Sequence, residues 1–416
     1  MKELNLLKYN RHWEKGFKYP FAKKRRFFDS VLKYLDKKQI VELIGLRRVG
    51  KTVLLFQIIN HLLENKKNPF SIWYFTFDEE KIKLENLLQS FAAQTQIDFR
   101  REKVFVFLDE IQKLDDFQSQ IKIYYDLYPN LKFFISGSTS LFVKKKTQES
   151  LAGRIKSFFL SPLSFEEYLY FKDKSDLLEK PLVFKSEIER EFEIFLGSQL
   201  IESVYFSEEK ERKEYFISII KKIIFEDVPP VFSIDNPNIL WKLVKIIGQN
   251  PGVFINYQNL SGELGVSNKT LSRYLFCLEE SFLVKKVYNF SRNLMTSEKK
   301  MKRFYLASPS FSRAVADFTE TGRLVENFAV SLKDYKFFWR DAYKHEVDFV
   351  EVKNSEIIPI EVKYKNRFSK KDFKNLVLFS KKFNAQKAVL FGKILEKKGA
   401  ETDNLKISQE PIYFIR

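Results

Sequence analysis

Residues 39–64 read QIVELIGLRRVGKTVLLFQIINHLLE, and this stretch decides the fold of the first part of the chain. A short apolar run, Ile40 to Ile44, leads into Gly45, four further residues, and then Gly50-Lys51-Thr52. Apolar positions at helical spacing follow. A strand, a glycine-bounded loop and a helix in that order read as a phosphate-binding loop. The glycines let the backbone curl so that its N–H groups face phosphate oxygens, and the helix N-terminus adds positive potential. Lys51 is expected to reach the β- and γ-phosphates of ATP, and Thr52 to ligate Mg²⁺. Gly45, Val49, Gly50, Lys51, Thr52 and Val53 are the expected nucleotide contacts.

Working outward, three more apolar runs follow: FSIWYFTF (70–77), VFVFLDE (104–110) and LKFFISGS (131–138). Each is a continuous hydrophobic strand, as in a parallel sheet covered on both faces. The second ends in Asp109-Glu110. A carboxylate at such a strand end suits the water shell of a metal, and Glu110 is expected to orient and deprotonate an attacking water. The third ends in a polar tip, Ser136 to Ser140, in which Ser138 is expected to sense the γ-phosphate. An intact acidic pair argues for hydrolysis rather than nucleotide binding alone.

At these residues the chain resembles the AAA+-related P-loop ATPases of archaea and bacteria. GLRRVGKT, FLDEIQKL, ISGSTSLF and LAGRIKSFFLSPLSFEEYL occur in order over residues 41–169. The resemblance makes Arg154, in LAGR, an arginine finger that completes a neighbour's site, and so implies a homo-oligomer. The competing reading is a plain surface arginine. No clear second sensor arginine follows.

The chain has 416 residues, so two or three domains are expected. A formal charge of +18 favours a polyanionic partner, nucleic acid before membrane surface. Residues 1–30 carry nine Lys/Arg against three acids, and residues 281–303 seven against one. The single cysteine, Cys277, reads as core, and His12, His61 and His345 have no zinc-site spacing. No apolar run approaches the roughly 20 residues of a membrane-spanning helix. The start of the chain does not read as a secretion signal, so a cytoplasmic protein is expected.

Residues 165–250 are helical and charged, with Pro229-Pro230 expected to end one helix. In FINYQNLSGELGVSNKTLSRYLFCLEESFLVKKVYNF (254–290), a short helix meets a turn at Gly265-Val266, and Ser267 is placed to cap a second helix. That helix buries Leu271, Tyr274, Leu275 and Leu278 and exposes Asn268, Lys269, Thr270 and Arg273. Strands FLVKKV and RFYLA with a basic loop between them complete a helix-turn-helix with a wing. Lys269, Arg273, Lys285 and Lys286 are the expected DNA contacts. A protein-contact module is the alternative.

In HEVDFVEVKNSEIIPIEVKYK (345–365), residues 346–352 and 357–364 read as a hairpin whose paired residues sum to 709. Asp348 then faces Glu361, and Glu346 faces Lys363, all on one side. Two opposed carboxylates repel unless a cation lies between them. Glu351-Val352-Lys353 repeats the tripeptide pattern, but Glu351 falls on the opposite face from Asp348. The constellation resembles the PD-(D/E)XK nuclease core over roughly 302–416. The resemblance implies Asp348, Glu361 and Lys363 as catalytic residues and adds Glu326, in GRLVENFAV, as a further metal ligand. The order of parts resembles a prokaryotic ATPase family: P-loop module, winged helix, nuclease-like tail.

The expected architecture is an α/β P-loop NTPase domain at 1–165, a helical and winged-helix domain at 166–300, and an α/β restriction-endonuclease-like domain at 301–416. The expected function is a Mg²⁺-dependent ATPase that remodels or processes DNA, with metal-dependent cleavage by the tail. The alternative is a STAND-like switch, controlled by ATP, whose winged helix and tail act only in binding.

Overall fold

The computed structural model describes residues 4–138, 151–317, 319–402 and 404–415. The chain forms two compact units, Met1–Leu160 and Ser161–Arg416. Among the described residues no helix is long and apolar enough to cross a membrane.

The first unit is built on five strands: β1 (Ile40–Ile44), β2 (Ile72–Thr76), β3 (Val104–Asp109), β4 (Leu131–Gly137) and β5 (Ile155–Phe159). They lie in the order β2-β3-β4-β1-β5, and every pairing is parallel. Parallel neighbours need crossovers, which the helices Lys51–Glu64, Leu84–Thr95 and Phe117–Leu127 provide. The strands β3 and β4 are buried at every position, which is why they read as unbroken apolar runs. In such sheets ligands bind at the carboxyl ends of the strands. The loop after β1, Asp109 at the end of β3 and Gly137 at the end of β4 all fall there.

The basic N-terminal run is a packed arm. The Asn10 side chain accepts from Tyr74 N at 2.7 Å and donates to Tyr74 O at 3.0 Å, pairing with the edge strand β2 as a strand would. The Trp13 indole donates to Ile72 O at 3.1 Å. Further along, Gln57 donates to Phe21 O and Lys23 O, and Arg25 donates to Val49 O at 3.0 Å. The arm thereby reaches the phosphate-binding loop.

The second unit holds nine strands: β6 (Val253–Phe254), β7 (Val284–Asn289), β8 (Lys302–Leu306), β9 (Phe337–Arg340), β10 (Glu346–Lys353), β11 (Glu356–Lys363), β12 (Lys387–Gly392), β13 (Lys398–Thr402) and β14 (Leu405–Pro411). Their order is β13-β14-β12-β11-β10-β9-β7-β8-β6. The division expected at 300/301 falls inside this sheet, because the β7–β8 hairpin joins the later strands through Tyr288↔Phe337 and Asn289↔Phe338. One face packs under the helix Thr321–Leu332 with Phe349, Ile360 and Val362. The other packs under the helix Lys370–Phe383 with Trp339, Val350 and Leu390.

The β10–β11 register runs from Phe349↔Ile360 to Lys353↔Glu356, the expected sum of 709. The strands extend further than expected. The turn is only Asn354-Ser355, with φ of 49° and 68°, the left-handed pair that matches strand twist.

Helices Tyr257–Leu264 and Asn268–Glu280 flank Gly265, whose φ is 66°. Ser267 accepts from Thr270 N at 3.1 Å, and Leu271, Tyr274, Leu275, Cys277 and Leu278 are buried. Two details differ from expectation. The segment between β7 and β8 contains a helix, Leu294–Lys299. Pro229-Pro230 opens the short helix Val228–Phe232 instead of closing one, since proline is tolerated in a first turn that needs no N–H donor.

Candidate functional site

The phosphate-binding loop takes its shape from Gly45 and Gly50, with φ of 144° and 95°. A Cβ on Gly45 would lie 2.4 Å from Leu160 O, so only glycine fits. Gly50 precedes the helix Lys51–Glu64, and Val49 is buried beside it while Val53 is half-buried in the first turn. The Lys51 ammonium donates to Gly45 O and Leu46 O, both at 3.0 Å, and so spans the loop from within.

Thr52 Oγ1 donates to Asp109 Oδ2 at 2.6 Å. Tyr74 Oη donates to the same oxygen at 3.1 Å, and Ser136 donates to Oδ1. Burial and then the neighbouring Glu110 charge push the Asp109 carboxyl up from its usual range. Glu110 sits in the left-handed region at φ 50°. Its Oε2 accepts from Ser138 Oγ at 2.9 Å and from Gln112 Nε2 at 2.5 Å. Lys51, Thr52, Asp109, Glu110 and Ser138 are thus gathered at one end of the sheet, as the spacing predicts. Thr139 and Ser140, the rest of the polar tip, lie outside the described residues. The Gln112 amide was not anticipated; its place two residues past Glu110 was the available signal.

These residues fit a magnesium nucleotide. The Thr52 hydroxyl and the Asp109 carboxylate already meet, and Lys51 lies inside the loop with a positive head. Arg154 is elsewhere: it precedes β5, whose Ile155 pairs with Ile40 at the start of β1, so it stands at the opposite end of the sheet from the loop. Its guanidinium makes a bidentate pair with Asp126, at 3.0 and 3.1 Å.

In the second unit the four expected tail residues lie close together, and Arg303, which was missed, joins Glu326 and Asp348. Lys363 Nζ lies 2.8 Å from Glu361 Oε2, and Val362 N donates to Asp348 Oδ2 at 2.9 Å. Arg303, from β8, donates to Glu326 at 2.9 Å, pairs with Glu346, and lies 3.8 Å from Asp348. Tyr305 donates to Glu326 as well. Burial and the Asp348 charge raise the carboxyls of Glu326 and Glu361. The Lys363 and Arg303 cations are held more firmly than usual despite burial, through the surrounding acids and, for Arg303, Tyr305. Among the described residues no three acidic, histidine or cysteine side chains are grouped so as to hold a metal ion. Among the expected metal set of Glu326, Asp348 and Glu361, the charge facing Glu326 and Asp348 is a guanidinium. Arg303 was hidden in RFYLA, which reads as an apolar strand with one polar end.

The four expected DNA contacts separate. Lys269 is exposed. Arg273 donates to Phe232 O and Ser233 O, anchoring its helix. Lys286 pairs with Glu279 at 2.5 Å. Lys285 donates to Val330 O at 2.6 Å and Ser331 O at 3.2 Å, satisfying the end of the helix Thr321–Leu332. Burial lowers its ammonium to about 8. Lys285 thus holds a helix end in this structure.

Comparison with known proteins adds the following. The family described as AAA domain matches residues 37–169. Two domains of unknown function match residues 202–322 and 321–408. An uncharacterized Methanocaldococcus jannaschii protein, MJ1637, is 27% identical, the match covering 95% of this chain and 89% of that one. An uncharacterized Haemophilus influenzae protein is 24% identical, covering 92% and 96%. Among solved structures, Aeropyrum pernix ORC1 in complex with DNA gives a TM-score of 0.31 at 14% identity, over 71% of this chain and 93% of that one. C. elegans PCH-2 gives 0.25 at 16% identity over 39% of this chain, which spans less than half, 45%, of that protein. The loop, the Thr52–Asp109 contact and the match of residues 37–169 to the family described as AAA domain all fall at the same strands.

Proposed function

We propose that the protein is a Mg²⁺-dependent ATPase that uses hydrolysis to change how its second unit holds DNA. The observation that carries the enzymatic part is the Thr52–Asp109 hydrogen bond with Glu110 alongside. Bound Mg²⁺–ATP supplies the transferable phosphoryl group and the charge that neutralises its oxygens. The chain's own residues do the rest. Backbone N–H groups of the loop and Lys51 bind phosphate, Thr52 and Asp109 hold the ion, and Glu110 accepts a proton from the attacking water. Ser138 and Gln112 orient Glu110 from one side.

The DNA part is supported by the net charge of +18 and by the exposed Lys269 on the second helix of a helix-turn-helix. Residues 166–300 serve in this proposal as linker and winged helix, and 301–416 as a nuclease-like fold that grips DNA. Assembly through Arg154 belongs to the proposal with one requirement: the pair with Asp126 opens when a second copy docks. An Arg154→Ala variant with wild-type turnover at every protein concentration removes that element.

One observation favours the second reading, an ATP-controlled switch for a protein partner. Leu294, Met295 and Met301, in the segment between β7 and β8, are 67%, 68% and 50% exposed. Apolar tips suit protein contact better than phosphate contact. The deciding experiment is the rate of phosphate release with duplex, single-stranded and branched DNA. Stimulation by any of them supports the DNA reading, and a flat response across the panel supports the switch.

A further inference from the structure

We propose that Arg303 is the resident cation of the C-terminal acidic cluster and plugs it against divalent metal, so that the nuclease-like tail of the wild-type chain takes up no catalytic ion. The inference is independent of the ATPase reading.

The geometry carries the argument. Glu326, Glu346 and Asp348 converge on one guanidinium, with Tyr305 donating to Glu326 from the same side. Arg303 has only 8% of its side chain exposed, and Asp348 and Glu361 have 11% and 2%. Glu361 is in turn engaged by Lys363. A divalent ion needs at least one or two free carboxylates plus water. Here Glu326 and Glu346 pair with Arg303, Asp348 lies 3.8 Å from it and Glu361 lies 2.8 Å from Lys363. A delocalised, weakly hydrated guanidinium in a buried pocket is not readily exchanged for a strongly hydrated ion. Arg303 reaches the cluster from β8, whereas the acids sit on the helix Thr321–Leu332 and on β10 and β11. The two parts of the sheet meet where β7 pairs with β9, through Tyr288↔Phe337 and Asn289↔Phe338 and the Asn289 side chain on the Arg340 backbone. The plug therefore comes from the hairpin that follows the helix-turn-helix.

The test is Mn²⁺ binding to the nucleotide-free full-length protein, read from the loss of the free-ion electron paramagnetic resonance signal. Wild type and Asp348→Asn/Glu361→Gln are expected to bind the same number of ions, so that any ion at the P-loop cancels. Arg303→Gln is expected to bind one ion more than Arg303→Gln/Asp348→Asn/Glu361→Gln. Wild type binding one ion more than its own double variant overturns the proposal. So does a folded Arg303→Gln, checked by circular dichroism, that gains no ion. Should Arg303→Gln fail to fold, the wild-type pair alone decides: equal binding supports the plug and an extra ion overturns it.

Discussion

Thr52 and Asp109, 57 residues apart in sequence, are joined by a 2.6 Å hydrogen bond at the carboxyl end of the parallel sheet. The bond ties the first turn of the helix after the loop to the tip of β3. It places a hydroxyl and a carboxylate together beside the glycine-bounded loop. Glu110 is the next residue, turned out of the strand by its left-handed backbone and held by Ser138.

From that arrangement Glu110 has a separable task. Glu110→Gln keeps an acceptor for Ser138 and removes the base. ATP affinity is expected to stay within about threefold, while turnover falls by about 10²–10³-fold, the usual weight of a general base. Binding of a fluorescent ATP analogue and steady-state phosphate release measure the two quantities. Lys51→Ala is expected to lose both. Unchanged turnover in Glu110→Gln would remove it from the chemistry.

Gly45 is fixed by a backbone neighbour that cannot yield. Gly45→Ala pushes a methyl to 2.4 Å from Leu160 O at a φ of 144°. Strain of about 2–3 kcal/mol or more is expected, with loss of nucleotide affinity. Gly153→Ala is the control, since its φ is 74° but nothing lies within 4 Å of the new Cβ. Its cost is expected near the left-handed penalty of about 1 kcal/mol. Denaturant melts of the two variants check the order.

Lys269 and Lys285 were grouped by sequence and are separated by structure. Lys269→Glu is expected to weaken duplex DNA binding and flatten its dependence on salt by about one or two ion equivalents. Lys285→Met removes a donor to Val330 O and Ser331 O, and is expected to cost about 1–3 kcal/mol of stability. It leaves DNA affinity unchanged. Fluorescence anisotropy over a salt series, with a melt for each variant, distinguishes the two. A Lys285→Met that loses DNA without losing stability would restore it as a contact.

The contrast shows what sequence carries here. Local rules fixed the loop of 45–52, the acid-tipped β3 and the hairpin register, because each depends on spacing within one or two neighbouring elements. The role of Lys285 depends on a helix end 45 residues away, and a strand lysine gives no local sign of it. Arg303 is the same problem in sharper form. Its partners lie 23 and 43 residues on, and only tertiary folding reveals that three acids share it. The bidentate hold of Asp126 on Arg154 was equally invisible, since the two meet across 28 residues.

His12 provides a prediction of acid sensitivity in the first unit. Its ring nitrogens meet Tyr19 Oη and Ile72 O, both at 3.0 Å, and burial lowers its pKa to about 4. The unfolded chain, with an ordinary histidine near 6.5, therefore binds more protons than the folded one between pH 4 and 6.5. Stability rises with pH across that window and is lost as pH falls through it, by about 3 kcal/mol in all. Glu42 acts with the opposite sign, because burial raises its pKa to about 7 and acidification relieves that cost. A difference between variants cancels Glu42 and every other shared group. The comparison is urea unfolding at pH 7 and pH 4 for the parent and for His12→Gln. Both carry Trp241→Phe and Trp339→Phe, so that Trp13 and Trp73 report the first unit alone. The parent is expected to lose about 3 kcal/mol more than His12→Gln between the two pH values. Equal losses would mean that His12 is protonated in the folded arm, and that the contact with Ile72 O is made by an imidazolium.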